Sequence, residues 1–174
     1  MRNDGFDEFV AGWSGRLLRA AYLLTGDRGL AEDLVQDVYE RLYVAWPRVA
    51  DPAAYAHRAL TRQAMNRWRT RARRPVETAL AGHDRPDQRP DAAEALHERA
   101  VVVSALRTLP AGQRAAVVLR YFADLSEADT AAAMGCSVGT VKSQVSAGLR
   151  KLRNDLGLRG DADLLPLHLM EVTR

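Results

Sequence analysis

The chain has 174 residues, a formal net charge of +3 and a single cysteine, Cys136. One cysteine excludes an intramolecular disulfide framework, and no apolar run approaches the roughly 20 residues that a membrane-spanning helix needs. The N-terminal residues lack the apolar core of a signal peptide, so a soluble, cytoplasmic protein of one medium or two small domains is expected.

A first helix is expected from about Phe6 to Leu24. Phe6, Phe9, Val10, Trp13, Leu17, Ala20, Ala21 and Leu24 form an apolar stripe at helical spacing. Gly26-Asp27 breaks it. A second helix runs from about Gly29 to Trp46, with Leu30, Leu34, Val38 and Leu42 spaced by four. Glu32, Asp33, Asp37 and Glu40 surround that row. Asp33 and Asp37 share a face, with Gln36 beside them. No His or Cys lies within helical reach, so the acids match no metal box. Two readings fit this face: solvation, or a protein partner that is basic there.

Pro47 and Pro52 bracket a short loop. A third helix is expected from Pro52, suited to a first helical position, to about Arg73, with Pro75 as its stop. Residues 41–74 hold nine basic residues and one acid, Asp51. On a helix of 3.6 residues per turn, Arg58, Arg62, Arg69 and Arg73 fall within about 60° of arc, with Tyr55 and Asn66 on or beside that face. Ala56, Leu60, Ala64 and Trp68 fall opposite, where they would pack on the first two helices. Cations crowded on one face repel one another, so a merely solubilising role explains them poorly. Trp46 and Tyr43 stand just before the loop that leads into this helix. Cations for phosphates beside rings for bases are what single-stranded DNA binding needs. Trp46 and Tyr55 fit a core role equally well.

Residues 75–95, with Pro75, Gly82, Pro86 and Pro90, read as a flexible acidic linker. Helical patterning resumes at Ala92 and runs through Leu106. Pro110 marks another helix start, reaching about Phe122. Two short helices follow around a tight turn. Ser126 suits the first cap, with Asp129 at the capping-box position. Gly135 ends that helix, and Ser137 suits the second cap. The second helix is expected to bury Val138, Val141, Val145, Leu149 and Leu152. Thr140, Lys142, Ser143 and Ser146 form its other face, which suits a major groove. The pattern fits a DNA reader and also a plain αα-hairpin. Cys136, in the turn, is expected to be a small core side chain. No segment alternates as a strand. The expectation is an all-α chain of two small helical domains, 5–74 and 96–153, joined by the linker and followed by a tail, 154–174.

Ala31-Glu32-Asp33-Leu34-Val35-Gln36-Asp37-Val38-Tyr39, the basic helix, the linker, Leu109-Pro110-Ala111-Gly112-Gln113-Arg114 and the helix-turn-helix together resemble an extracytoplasmic-function (ECF) sigma factor of the sigma-70 family. The likeness covers about residues 5–153 and is greatest to actinobacterial members. It implies that Asp33, Leu34, Gln36 and Asp37 grip the β′ clamp helices of bacterial core RNA polymerase. It implies that Trp46, Arg48, Tyr55, Arg58, Arg62, Asn66 and Arg69 open the duplex and capture the −10 non-template strand. Arg114, Ser137, Gly139, Thr140, Lys142, Ser143, Gln144 and Arg150 would read the −35 element, beside the β flap. The linker would thread through the polymerase. Members of the family are commonly held inactive by an anti-sigma protein.

The chain departs from the family pattern in places. Thr130 stands where Ile or Val is usual, and a Thr there is expected to bond a carbonyl one turn back. Arg62 replaces a smaller polar residue, which leaves the −10 preference open. The rival reading is a dimeric helix-turn-helix repressor or activator, which leaves the arginine face unexplained. An enzyme fits worst. His57, His83, His97 and His168 are scattered, and no nucleophile constellation, phosphate loop or metal box is present, so no cofactor is expected.

Overall fold

The computed structural model describes residues 5–72 and 100–156, and all regular structure among them is helical. Helix α1 spans Phe6–Thr25 and α2 spans Arg28–Ala45. A short 3-10 turn, Trp46–Arg48, leads into α3, Pro52–Ala72. The second lobe holds α4 (residues 100–108), α5 (Ala111–Tyr121), α6 (Glu127–Met134) and α7 (Val138–Asp155). The expected linker 75–95, Arg73, the helical start at Ala92 and the tail from residue 157 lie outside the described residues.

Short-range chemistry sets the boundaries. Gly26 takes a left-handed φ of 68° and donates its N–H to the Tyr22 carbonyl at 2.7 Å, which closes α1. Asp27 Oδ1 accepts the Leu30 N–H at 2.8 Å and starts α2. Asp51 Oδ1 accepts the Ala54 N–H at 2.9 Å at the head of α3. Ser126 and Ser137 cap α6 and α7 by accepting the N–H groups of Asp129 and Thr140 at 3.0 and 3.1 Å. The Ser126 hydroxyl donates to the Asp129 carboxylate at 2.5 Å, in place of the reciprocal backbone bond of a capping box.

In the first lobe α1, α2 and α3 bury Leu17, Leu24, Leu34, Val38, Leu42, Ala56, Leu60 and Ala64. In the second, α7 lies close on α5 because Gly148 carries no side chain. A Cβ there would meet Val117 Cγ2 at 2.9 Å.

The two lobes are not apart. Helix α6 packs along α3, and α5 touches both α1 and α3. Leu23, Leu24 and Ala64 of the first lobe share one buried cluster with Leu106, Leu109 and Val117 of the second.

Three expectations about the second lobe need correction. The inward line of α7 is Val141, Gly148 and Leu152, which lie within about 40° of arc. Val138 lies further round, at the helix end, and is 39% exposed, while Val145 and Leu149 are half-buried. Cys136 is half-exposed and unpaired and not a core residue, since the tight turn holds it at the edge; partial burial still pushes its thiol pKa up. Thr130 is fully buried, but its Oγ1 has no hydrogen-bond partner. The carbonyl one turn back, on Ser126, accepts the Thr130 N–H at 2.9 Å but not its hydroxyl.

Candidate nucleic-acid interface

The acidic face of α2 is open. Asp33 and Gln36 are exposed and Asp37 is partly so. Gln36 Nε2 donates to Glu40 Oε1 at 3.1 Å. Arg67 Nη2 of α3 stands 3.9 Å from Asp37 Oδ2, with both side chains over 40% exposed, so the pair holds little energy. Leu34 departs from its expected role. It is fully buried between the helices, so its side chain does not reach a partner. Beyond the acids, Tyr43 is 54% and Val44 81% exposed. Val44 escaped the sequence reading, although residues 33, 37, 40 and 44 already form one stripe at helical spacing. The face is thus an acidic strip with an apolar end.

On α3 the cation row is realised where it is described. Arg58, Arg62, Asn66 and Arg69 are exposed on one side, with Tyr55 half-buried at its head. Arg69 donates to the Asn66 side-chain oxygen. Ala56, Leu60 and Ala64 are buried on the other side. Arg48 is exposed in the turn before α3. Trp46 packs its ring edge-on to Phe6 at 5.2 Å and against Phe9 at 5.6 Å between centroids, and is only half-buried. That cluster ties the ring to the start of α1. His57, on the buried side, meets Trp13 edge-on at 5.9 Å. Burial lowers its pKa, and Asp51 opposes the shift in part.

On α7, Gly139, Thr140, Lys142, Ser143 and Arg150 are exposed, and Gln144 is half-buried over Gly112. The Ser137 hydroxyl also lies 2.9 Å from Thr140 Oγ1, so these two hydroxyls orient each other. Ser143 Oγ donates to the Thr140 carbonyl at 2.9 Å. Lys142 Nζ sits 3.4 Å from Glu127 Oε2, an exposed pair that a stronger anion would displace. Behind this face lies a groove of about 460 Å³, lined among others by Arg120, Tyr121, Lys142, Leu149, Arg150 and Arg153. Arg120 and Arg153 were not among the expected contacts. They lie on different helices, and only the fold brings them together.

Arg114 stands apart from that face. Its Nη1 donates to the Leu24 carbonyl of α1 at 3.0 Å, and its Nη2 to the carbonyls of Arg107 and Leu109 at 3.0 and 3.1 Å. Its Cζ lies 4.7 Å from the centre of the Trp68 ring. Burial, helped by nearby Arg107, lowers its pKa. The expected −35 contact is thus occupied at the junction between lobes, because the guanidinium finds carbonyls and an indole there. Trp68, expected in the core, is half-exposed beneath it.

No described helix is long and apolar enough to cross a membrane. Among the described residues, no group of three His, Cys, Asp or Glu side chains could hold a metal ion.

Residues 9–74 match the family model of sigma-70 region 2, and residues 99–152 match that of sigma-70 region 4. The chain is 36% identical over 172 residues to an RNA polymerase sigma-E factor of Streptomyces coelicolor, covering 97% of this chain and 95% of that one. It is 32% identical over 157 residues to the ECF RNA polymerase sigma factor SigE of Mycolicibacterium smegmatis, covering 87% of this chain and 61% of the relative. Among solved structures, the sigma factor RpoE in complex with the anti-sigma factor NepR from Bartonella quintana superposes with a TM-score of 0.65. The identity is 26%, and the match covers 88% of this chain and 99% of that one. CnrH in complex with the cytosolic domain of CnrY gives a TM-score of 0.63 at 25% identity, covering 89% of each chain. The two regions in order, the helical lobes and the curated relatives agree: the chain belongs to the ECF sigma factors of the sigma-70 family.

Proposed function

We propose that this sigma factor directs core RNA polymerase to a subset of promoters by dividing the work between its lobes. The observation that carries the reading is the exposed row Arg58, Arg62, Asn66 and Arg69 on α3, with Tyr55 half-buried at its head and Trp46 in the turn before the helix. Melted DNA offers phosphates at regular steps and unstacked bases, and this row matches both. Unstacking a base costs a few kcal/mol, which stacking on an aromatic side chain near the 46–51 loop would offset. Helix α7 reads duplex −35 DNA through Gly139, Thr140, Lys142, Ser143, Gln144 and Arg150 without melting it. Arg120 and Arg153 add phosphate contacts beside it.

The strip of Asp33, Gln36 and Asp37 on α2, ending in Tyr43 and Val44, docks on the basic clamp helices of the polymerase. An anti-sigma protein that covers these faces is a natural partner, as RpoE has in NepR. The role is non-catalytic and is carried out in the cytoplasm, where polymerase and promoter DNA meet.

The test is transcription in vitro with bacterial core polymerase on a pool of promoter fragments. Transcripts that need the protein, and disappear with Asp37→Arg or Arg58→Glu, support both surfaces. Duplex binding as a dimer, with neither core binding nor transcript, would replace the reading with that of a repressor.

A further inference from the structure

The groove behind α7 offers more than phosphate contacts. Its rim carries Arg120, Arg150 and Arg153, and its floor is formed by half-buried Tyr121, Val145 and Leu149. Among the described residues no acidic side chain pairs with Arg150 or Arg153. The remaining cation, Lys142, already stands 3.4 Å from Glu127. A DNA phosphate satisfies the rim but leaves the floor wet. An occupant that satisfies both is acidic and apolar together, since cations attract carboxylates and apolar surface gains by leaving water.

The chain carries such a segment beside the groove. Arg153 lines the groove only two residues before α7 ends at Asp155. The Leu156 N–H bonds the Leu152 carbonyl at 2.9 Å, and Gly157 follows, a residue that favours chain reversal after a helix. Residues 157–174 lie outside the described residues, and their sequence supplies the pattern. Residues 161–171 hold Asp161, Asp163 and Glu171 with neither Lys nor Arg. Pro166 disfavours a helix there. In an extended chain Asp161, Asp163, Leu165, Leu167 and Leu169 fall on one side.

We infer that residues 161–171 fold back along α7 and occupy the groove, with Leu165, Leu167 and Leu169 on its floor and Asp161 and Asp163 at Arg150 and Arg153. The lengths agree when the segment runs antiparallel to α7. Leu165 to Leu169 spans about 13 Å when extended, and Leu149 to Val141 spans about 12 Å of helix. Asp163 then lies about 7 Å beyond Leu165, and Arg153 about 6 Å beyond Leu149. From Leu156 back to Leu149 is about 10 Å, a gap that residues 157–164 cross with slack for the turn. A tether this short gives a local concentration in the millimolar range, so weak docking suffices. The docked segment covers Arg120, Arg150 and Arg153 and competes with duplex DNA. That consequence rests on the −35 reading proposed above, whereas the docking itself does not.

Disulfide trapping in the full chain tests the docking. Ser146 lines the groove and is exposed. In a Cys136→Ser background, Ser146→Cys with Leu167→Cys should close an intramolecular disulfide under diamide, because a disulfide needs Cα atoms within about 7 Å. The control is Ser104→Cys with Leu167→Cys. Ser104 is exposed on α4, one turn from Thr108, whose hydroxyl bonds Asp155 at 2.7 Å, so it is within similar reach of the segment. The groove pair should close at least tenfold faster than the control. Equal rates would overturn the docking, and a disulfide-linked dimer would assign the groove to a second copy instead. Leu167→Asp then tests the competition, read by fluorescence anisotropy on random-sequence duplex DNA at low salt. Its added negative charge alone would weaken DNA binding, whereas release of the segment should tighten binding at least threefold. Equal or weaker binding would overturn the masking of DNA contacts. A chain that binds no duplex, with or without Leu167→Asp, removes the −35 reading, while the disulfide rates still judge the docking.

Discussion

Gly148 of α7 faces Val117 of α5 so closely that a single added methyl would sit 2.9 Å from Val117 Cγ2 and 3.4 Å from the Gln113 carbonyl. Val117 is fully buried. Alanine in a helix gains about 1 kcal/mol over glycine, but overpacking costs typically 1–3 kcal/mol. Gly148→Ala should therefore be neutral to destabilising by about 2 kcal/mol, and Gly148→Val clearly worse. Urea unfolding of the two variants checks this. A stabilised Gly148→Val would show that α5 and α7 are less tightly packed.

His57 should make stability depend on pH. Burial holds its folded pKa below the ordinary value, with Asp51 opposing in part. The unfolded chain therefore takes up the proton first. Stability is full above the unfolded pKa of about 6.5 and falls as pH drops below it toward the folded value. One such group gives at most about 1.4 kcal/mol per pH unit. The Asp155 carboxyl, held low chiefly by the Thr108 hydroxyl at 2.7 Å, loses its contribution only at more acid pH. Denaturation midpoints measured from pH 7.5 to 5 should slope downward, and His57→Leu should flatten that slope.

Asp37→Arg and Val44→Ser should separate docking from folding. Both positions are surface sites, where substitutions usually shift stability by about 0.5 kcal/mol or less. The Asp37–Arg67 pair is long and exposed. Core polymerase affinity should nevertheless fall tenfold or more for Asp37→Arg and severalfold for Val44→Ser. Titration with fluorescent core polymerase reads both. Unchanged affinity in the two would move the docking face off α2.

The two DNA faces should fail differently. Arg150→Ala should weaken −35 duplex binding across sequences and reduce the salt slope by about one. Thr140→Ala should change base preference more than affinity. Arg58→Glu should leave −35 binding intact and remove permanganate-reactive thymines from the −10 region. Loss of both signals in any one of these variants would mean that the lobes do not divide the work.

The helices were legible because their causes are local. The apolar stripe of α1, the Ser126 and Ser137 caps and the glycines at 26 and 135 act within four residues. Leu34 was legible too, since Leu30, Leu34, Val38 and Leu42 mark the core row of α2. Its assignment to a partner followed the motif around it and not the period. The docking of the lobes was not legible. Periodicity tells which face of α3 or α6 is buried, not what covers it. For the same reason the resemblance placed Arg114 at the −35 element. Only the fold brings the Leu24 carbonyl and the Trp68 ring beneath it. Val138 sits at the edge of the α7 stripe, where the end of the helix decides exposure.

The turn between α6 and α7 closes upon itself. Gly135 donates its N–H to Ala131 and Cys136 bonds the same carbonyl, while Ser137 caps the helix that follows. Every one of these bonds lies outside the exposed positions Gly139, Lys142 and Ser143. Those positions are therefore free to vary without disturbing the frame that presents them. Such a separation makes promoter choice evolvable: a duplicated copy could acquire a new set of target genes by changing a few surface residues of α7, while keeping its scaffold and its polymerase-docking strip.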